Sequence, residues 1–154
     1  MKIMYTLPKA IFFTFILLAS SQTMVMAQSP ESSDEELVYQ AVQDYLLGLY
    51  MAEPERIARS VDTTLRKIGY YTYNGENYDH VPMTFDQLHE LAGKWNANGD
   101  QVTEETPQVI EIYEVHDRTA SAKLTAKWGI DFMHLSKVDG RWKIMNIIWQ
   151  SQPK

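Results

Sequence analysis

Apolar positions recur at helical spacing in the first half of this chain and at every second residue in its last third. Ser33-Asp34-Glu35-Glu36 forms a capping box, and behind it Val38, Ala41, Val42, Tyr45, Leu46 and Leu49 make one apolar stripe. Pro54 suits the first turn of a second, shorter helix through about Ser60. Leu65 to Tyr73 is predicted as extended, with Asn74-Gly75 turning the chain into Glu76–Tyr78. A second capping box, Thr84-Phe85-Asp86-Gln87, opens a helix with an inner stripe of Phe85, Leu88, Leu91, Ala92 and Trp95. That helix is predicted to end at Asn98-Gly99. From Gln108 to Gln150 the alternation predicts antiparallel strands. Helices followed by a meander make an α+β domain, the helices packed on one face of a curved sheet.

Asp139-Gly140 fixes the last hairpin, because a type I′ turn needs positive φ at both central positions. Counting outward from it, Val138 faces Arg141 and Lys137 faces Trp142. Unbroken alternation then puts Asp131, Met133, Leu135, Trp142, Ile144, Asn146 and Ile148 on one face. Ile130, Phe132, His134, Met145, Ile147 and Trp149 fall on the other. Both faces are largely apolar, so neither is expected to lie open to water.

The front of the chain has a different character. Lys2 and Lys9 precede a ten-residue run, Ala10 to Ala19, and Val25-Met26-Ala27 carries small residues at the −3 and −1 positions of a cleavage site. This predicts a signal peptide over residues 1–27, cleaved after Ala27, a lead-in at 28–33 and one domain at 34–151. The run is short for a permanent membrane span. Export to a periplasm or beyond is therefore expected, with no membrane association after cleavage. Without cysteine the chain has no disulfide, no lipid-modified cysteine and no thiolate zinc ligand. Removing Lys2 and Lys9 from 14 basic residues leaves 12 against 20 acidic ones, a net charge of −8. Such a balance, with no basic cluster, argues against nucleic acid as a partner.

The order of two helices, a strand pair, a third helix and a closing meander resembles the nuclear transport factor 2-like (SnoaL-like) superfamily. Within it, Lys137-x-Asp139-Gly140-x-Trp142-Lys143-Ile144-x-Asn146-x-x-Trp149 is most similar to small exported proteins described as "putative lumazine-binding". The resemblance spans roughly residues 35–150. It implies a cone-shaped α+β fold with an interior pocket, commonly dimerised through the sheet. It implies little about chemistry, since the fold hosts isomerases, dehydratases, cyclases and noncatalytic binders. Relatives often carry a His-Pro step after the second helix. Here that region is Ser60-Val61-Asp62, so no histidine carries over.

With the Leu135, Ile144 and Ile148 face taken as concave, Asp131 enters an apolar cavity with Asn146 diagonal to it. A carboxylate there would have a raised pKa and could serve as a general base; equally, it could bond backbone amides or a tyrosine hydroxyl. Asn146 also reads as an amide satisfying a strand. The expected pocket is Asp131, Asn146, Trp95, Tyr45, Met133 and Ile144; the expected dimer face is Phe132, Met145, Ile147 and Trp149. Tyr45, Tyr50, Tyr70, Tyr71, Tyr73, Tyr78, Trp95 and Trp128 supply aromatic surface for a flat ligand, or for ordinary packing. The histidines show no metal-binding spacing, and neither metal nor cofactor is expected. The favoured reading is an exported binder of a small hydrophobic or heterocyclic molecule, as a homodimer. The alternatives are a lyase or isomerase with Asp131 as base, and a noncatalytic dimerisation or accessory domain.

Overall fold

The computed structural model describes residues 32–152. The expected signal segment, 1–27, and most of the 28–33 lead-in lie outside the described residues. Helices α1 (Asp34–Tyr50) and α2 (Pro54–Ser60) are followed by strands β1 (Val61–Tyr71) and β2 (Asp79–Met83). Helix α3 (Phe85–Ala92) comes next, then β3 (Val109–Val115), β4 (Thr119–Ala126), β5 (Gly129–Val138) and β6 (Arg141–Gln150). The six strands form one curved sheet in the order β2-β1-β6-β5-β4-β3. Every pairing is antiparallel except β1 with β6, which is parallel. This is the α+β cone predicted from the sequence.

Local chemistry explains the helices. Ser33 caps α1 by accepting from the Glu36 amide at 3.2 Å, while the Glu36 carboxylate accepts from Gln40 instead of closing the box. At α3 the box is complete: Thr84 Oγ1 accepts from the Gln87 amide, and Gln87 Oε1 accepts from the Thr84 amide at 2.9 Å. The predicted α1 stripe, from Val38 to Leu49, is buried throughout. Helix α3 is shorter than predicted. Regular helix stops at Ala92, and tighter turns carry the chain on to Gly99, whose φ is +72°.

One irregularity decides which side chains face the interior. Asp139 and Gly140 take the positive φ values that the turn requires, +47° and +76°. Pairing then runs as expected through Leu135 with Ile144, but the next pair is His134 with Asn146. Met145 is the extra residue of a β-bulge, so every later β6 residue changes face. The bulge corrects the expected register. Ile147 and Trp149 lie on the inner face with Asp131 and Met133, while Asn146 and Ile148 lie outside with His134 and Phe132. Ile147 is fully buried and Ile148 is 46% exposed. The physical gain is clear: unbroken alternation would bury the Asn146 amide and leave Trp149 outside. With the bulge, Asn146 donates to the Arg66 carbonyl at 3.1 Å, and its oxygen lies 3.3 Å from His134 Nδ1.

Candidate functional site

Between the helices and the inner sheet face lies a cavity of about 190 Å³. It is lined by Leu49, Lys67, Tyr71, Met83, Leu91, Trp95, Trp128 and Trp149. Helix α1 brings Leu49, the α3 region brings Leu91 and Trp95, and β1 brings Lys67 and Tyr71 from alternate inward positions. Gly69 lies between those two, directly paired with Trp149. A Cβ on Gly69 would come within 2.3 Å of the Trp149 indole, so the missing side chain lets that ring lie over β1.

The walls are built from mutually braced rings. Trp95 stacks on Tyr50 at 5.8 Å between centroids, and Trp128 meets Tyr45, Tyr50 and Trp95 edge-on at 6.1, 5.7 and 5.5 Å. Their polar tips are mostly spent on the scaffold. The Tyr50 hydroxyl donates to the Pro107 carbonyl at 2.7 Å and accepts from the Lys127 amide at 2.8 Å. Trp128 Nε1 donates to Asp131 Oδ2 at 2.6 Å. Trp149 Nε1 is the exception: it is buried and has no partner.

Behind this wall sits a buried ionic group. Lys67 Nζ donates to the Tyr45 hydroxyl and lies 3.5 Å from Asp131 Oδ1, a distance of an ion pair rather than of a good hydrogen bond. Asp131 is fully buried, and Lys67 is 6% exposed. Burial pushes the Asp131 carboxyl above the usual carboxylate range; the Lys67 charge and then the Trp128 N–H oppose it. Burial likewise pushes the Lys67 ammonium down, against the Asp131 charge. The Tyr45 phenol is raised well above its ordinary value, by burial first and by Asp131 second, so it stays protonated.

The expected pocket residues therefore scatter. Trp95 lines the cavity. Tyr45 and Asp131 stand one layer back, holding Lys67 and Trp128 in place. Met133 and Ile144 are buried in the core but are not among the lining residues. Asn146 is on the outer face, removed from the pocket by the bulge. Of the expected dimer face, Ile147 and Trp149 point inward, Met145 is the bulged residue, and Phe132 stays outside at 48% exposure. Lys67, absent from the predicted site, is its one cationic member. A signal existed: Leu65-x-Lys67-x-Gly69-x-Tyr71 places a lysine at the inward period of an otherwise apolar strand. Among the described residues, no group of three His, Asp or Glu is placed to hold a metal ion.

The model of the family described as "Putative lumazine-binding" matches residues 33–150. Among curated proteins, none matches the chain. Solved structures with this fold include an NTF2-like protein of unknown function from Shewanella baltica OS155. It shares 16% identity at a TM-score of 0.58, covering 80% of this chain and 100% of that one. An NTF-2-like protein of unknown function from Silicibacter pomeroyi DSS-3 shares 15% identity at a TM-score of 0.57, covering 79% of this chain and 100% of that one. A protein described as a "Putative Scytalone Dehydratase" from Novosphingobium aromaticivorans shares 16% identity at 0.51, over 77% of this chain and 83% of that one. At these identities the likeness speaks for the fold alone. The family match spans most of the chain, and the chain belongs to the family described as "Putative lumazine-binding".

Proposed function

We propose that this protein is exported and holds a small, flat, apolar or heterocyclic molecule in the interior of its cone, without catalysing a reaction on it. The observation that carries this reading is the aromatic cavity. Three tryptophans and Tyr71 surround about 190 Å³, closed by Leu49, Met83 and Leu91. An apolar cavity of about 150 Å³ is enough to admit benzene, so this one suits a molecule of one or two rings. Lumazine, the flat two-ring heterocycle of the family's description, belongs to that size class.

Asp131 weighs against the lyase or isomerase alternative. It is not among the lining residues, and both its oxygens face protein cations or donors: Lys67 on one side, Trp128 on the other. A general base needs hydrogen-bond reach of the proton it removes. Export rests on the charged start, the short apolar run and the Val25-x-Ala27 site. Self-association rests on the exposed apolar strip of the outer sheet face.

Native mass spectrometry of protein purified from its own host tests these points together. The expected result is a dimer with a bound small molecule, on a chain that begins at or near Gln28. Titration with lumazine should also quench tryptophan fluorescence, since three of the four tryptophans line the cavity. A ligand-free protein that neither lumazine nor any simple two-ring heterocycle perturbs would remove the binding reading. Full-length chain in the membrane fraction would remove export.

A further inference from the structure

The polar groups of the cavity differ in what they have left to give. Tyr50 and Trp128 are satisfied by the scaffold, as described above. Tyr71 brings a hydroxyl, which either donates or accepts. The two remaining polar residues of the lining only donate. An ammonium has three N–H bonds; Lys67 directs one to Tyr45 and one toward Asp131, which leaves the third unspent. Trp149 Nε1 is buried with no partner at all. These two donors are neighbours, for Lys67 Nζ lies 5.5 Å from the centroid of the Trp149 ring. Gly69 is what brings them together, because any side chain there would push the indole away from β1.

A buried indole N–H without a partner is uncommon, because leaving it unmet is unfavourable and the packing could have turned it elsewhere. From the two adjacent donors we infer that the ligand presents a hydrogen-bond acceptor, a ring carbonyl oxygen, to Trp149 Nε1 and Lys67 Nζ. The inference rests on the binding reading above and narrows its ligand class. The oxygen should be uncharged. Lys67 and Asp131 already balance each other, so a carboxylate would bring a second, uncompensated negative charge beside Asp131. The aromatic walls then hold the ring, and the donor pair sets which edge enters first.

A matched pair of probes tests this. Indane and 1-indanone share one two-ring frame and differ by a single carbonyl oxygen. Burying a carbonyl without a donor is unfavourable, so a cavity lacking one prefers indane. Calorimetric titration of the full-length mature protein should show 1-indanone binding about three- to tenfold more tightly, the ordinary gain from one hydrogen bond. Trp149→Phe, checked for folding by thermal melting, should reverse that order while leaving indane affinity within about twofold. Equal binding of the two probes by the parent, or tighter binding of indane, overturns the acceptor inference and leaves the pocket intact. A preference that persists in Trp149→Phe overturns the role given to Trp149. Binding of neither probe counts against the pocket itself, and the inference falls with it. The parent ratio alone decides the first point even if the variant fails to fold.

Discussion

Asp131 and Lys67 form a pair whose members cannot be removed one at a time. Taking both charges out of water is unfavourable, and each justifies the other's burial. Asp131→Asn keeps an acceptor for Trp128 but strands the Lys67 ammonium among aromatic rings. The expected loss is about 3–5 kcal/mol in urea unfolding. Lys67→Met combined with Asp131→Asn should be less damaging than Asp131→Asn alone, with a coupling above about 1 kcal/mol. Strictly additive losses would mean that the pair is not a unit. Asp131 was legible from the sequence as a carboxylate in an apolar strand, but its partner was not. Lys67 is distant in sequence, and it meets Asp131 only through the parallel β1–β6 pairing, which no local turn announces. Gly69 is a second residue whose meaning is spatial. Its alanine variant must move the Trp149 indole, at an expected loss of about 1–3 kcal/mol. Gly93→Ala is the control: its φ is −72° and nothing lies within 3.7 Å of the new Cβ, so stability should hold or rise. If both variants melt alike, the close approach of Trp149 to β1 is not a constraint.

Among the elements, the helices and the final hairpin were the most legible, because their signals are local: caps, an apolar stripe, and Asp-Gly at a turn. The bulge was not legible. In Ile144-Met145-Asn146-Ile147-Ile148-Trp149 both Ile147 and Ile148 are apolar, so alternation gives no warning that the face changes at Met145. What identifies it is tertiary: the Asn146 amide finds the Arg66 carbonyl on the neighbouring strand. That single residue moved Asn146 out of the expected pocket and Trp149 into it. A further tie joins α1 to the hairpin. Asp34, in the first turn of α1, accepts from Lys137 Nζ at 2.7 Å and from Trp142 Nε1 at 3.0 Å. Those two bonds, the Lys137 one first, hold its carboxyl below the ordinary 3.8. A depressed folded value means that the tie is complete above pH 3.8 and is lost as the pH falls through the lower, folded value. The indole N–H resonance of Trp142 should therefore titrate with a midpoint below 3.8, and Asp34→Asn should abolish that transition. A midpoint at or above 3.8 would show that the carboxylate gains nothing from its two donors.

At the scale of the whole molecule, the bulge also redraws the outer surface. Ile147 leaves that face for the core, and Ile148 takes its place between Ile68 on β1 and Phe132 on β5, its direct partners across the sheet. Phe132 and Ile148 are each nearly half exposed, and Tyr70 extends the strip along β1. Contiguous apolar side chains on a sheet face are a common mark of association, and a two-fold dimer would cover the strip with its own copy. Two neighbouring substitutions separate association from folding. Ile148→Lys places a charge on the strip and leaves the core untouched, so it should give a folded monomer in sedimentation velocity. Ile147→Lys forces an unpaired ammonium into a fully buried site and should unfold the chain, seen as loss of its cooperative thermal transition. The opposite pattern, a folded monomer from Ile147→Lys and no effect of Ile148→Lys, would mean that β6 runs without its bulge. A parent protein that is already monomeric at tens of micromolar, a concentration at which an interface of about 800 Å² per partner should hold, would leave the fold as described and remove the dimer.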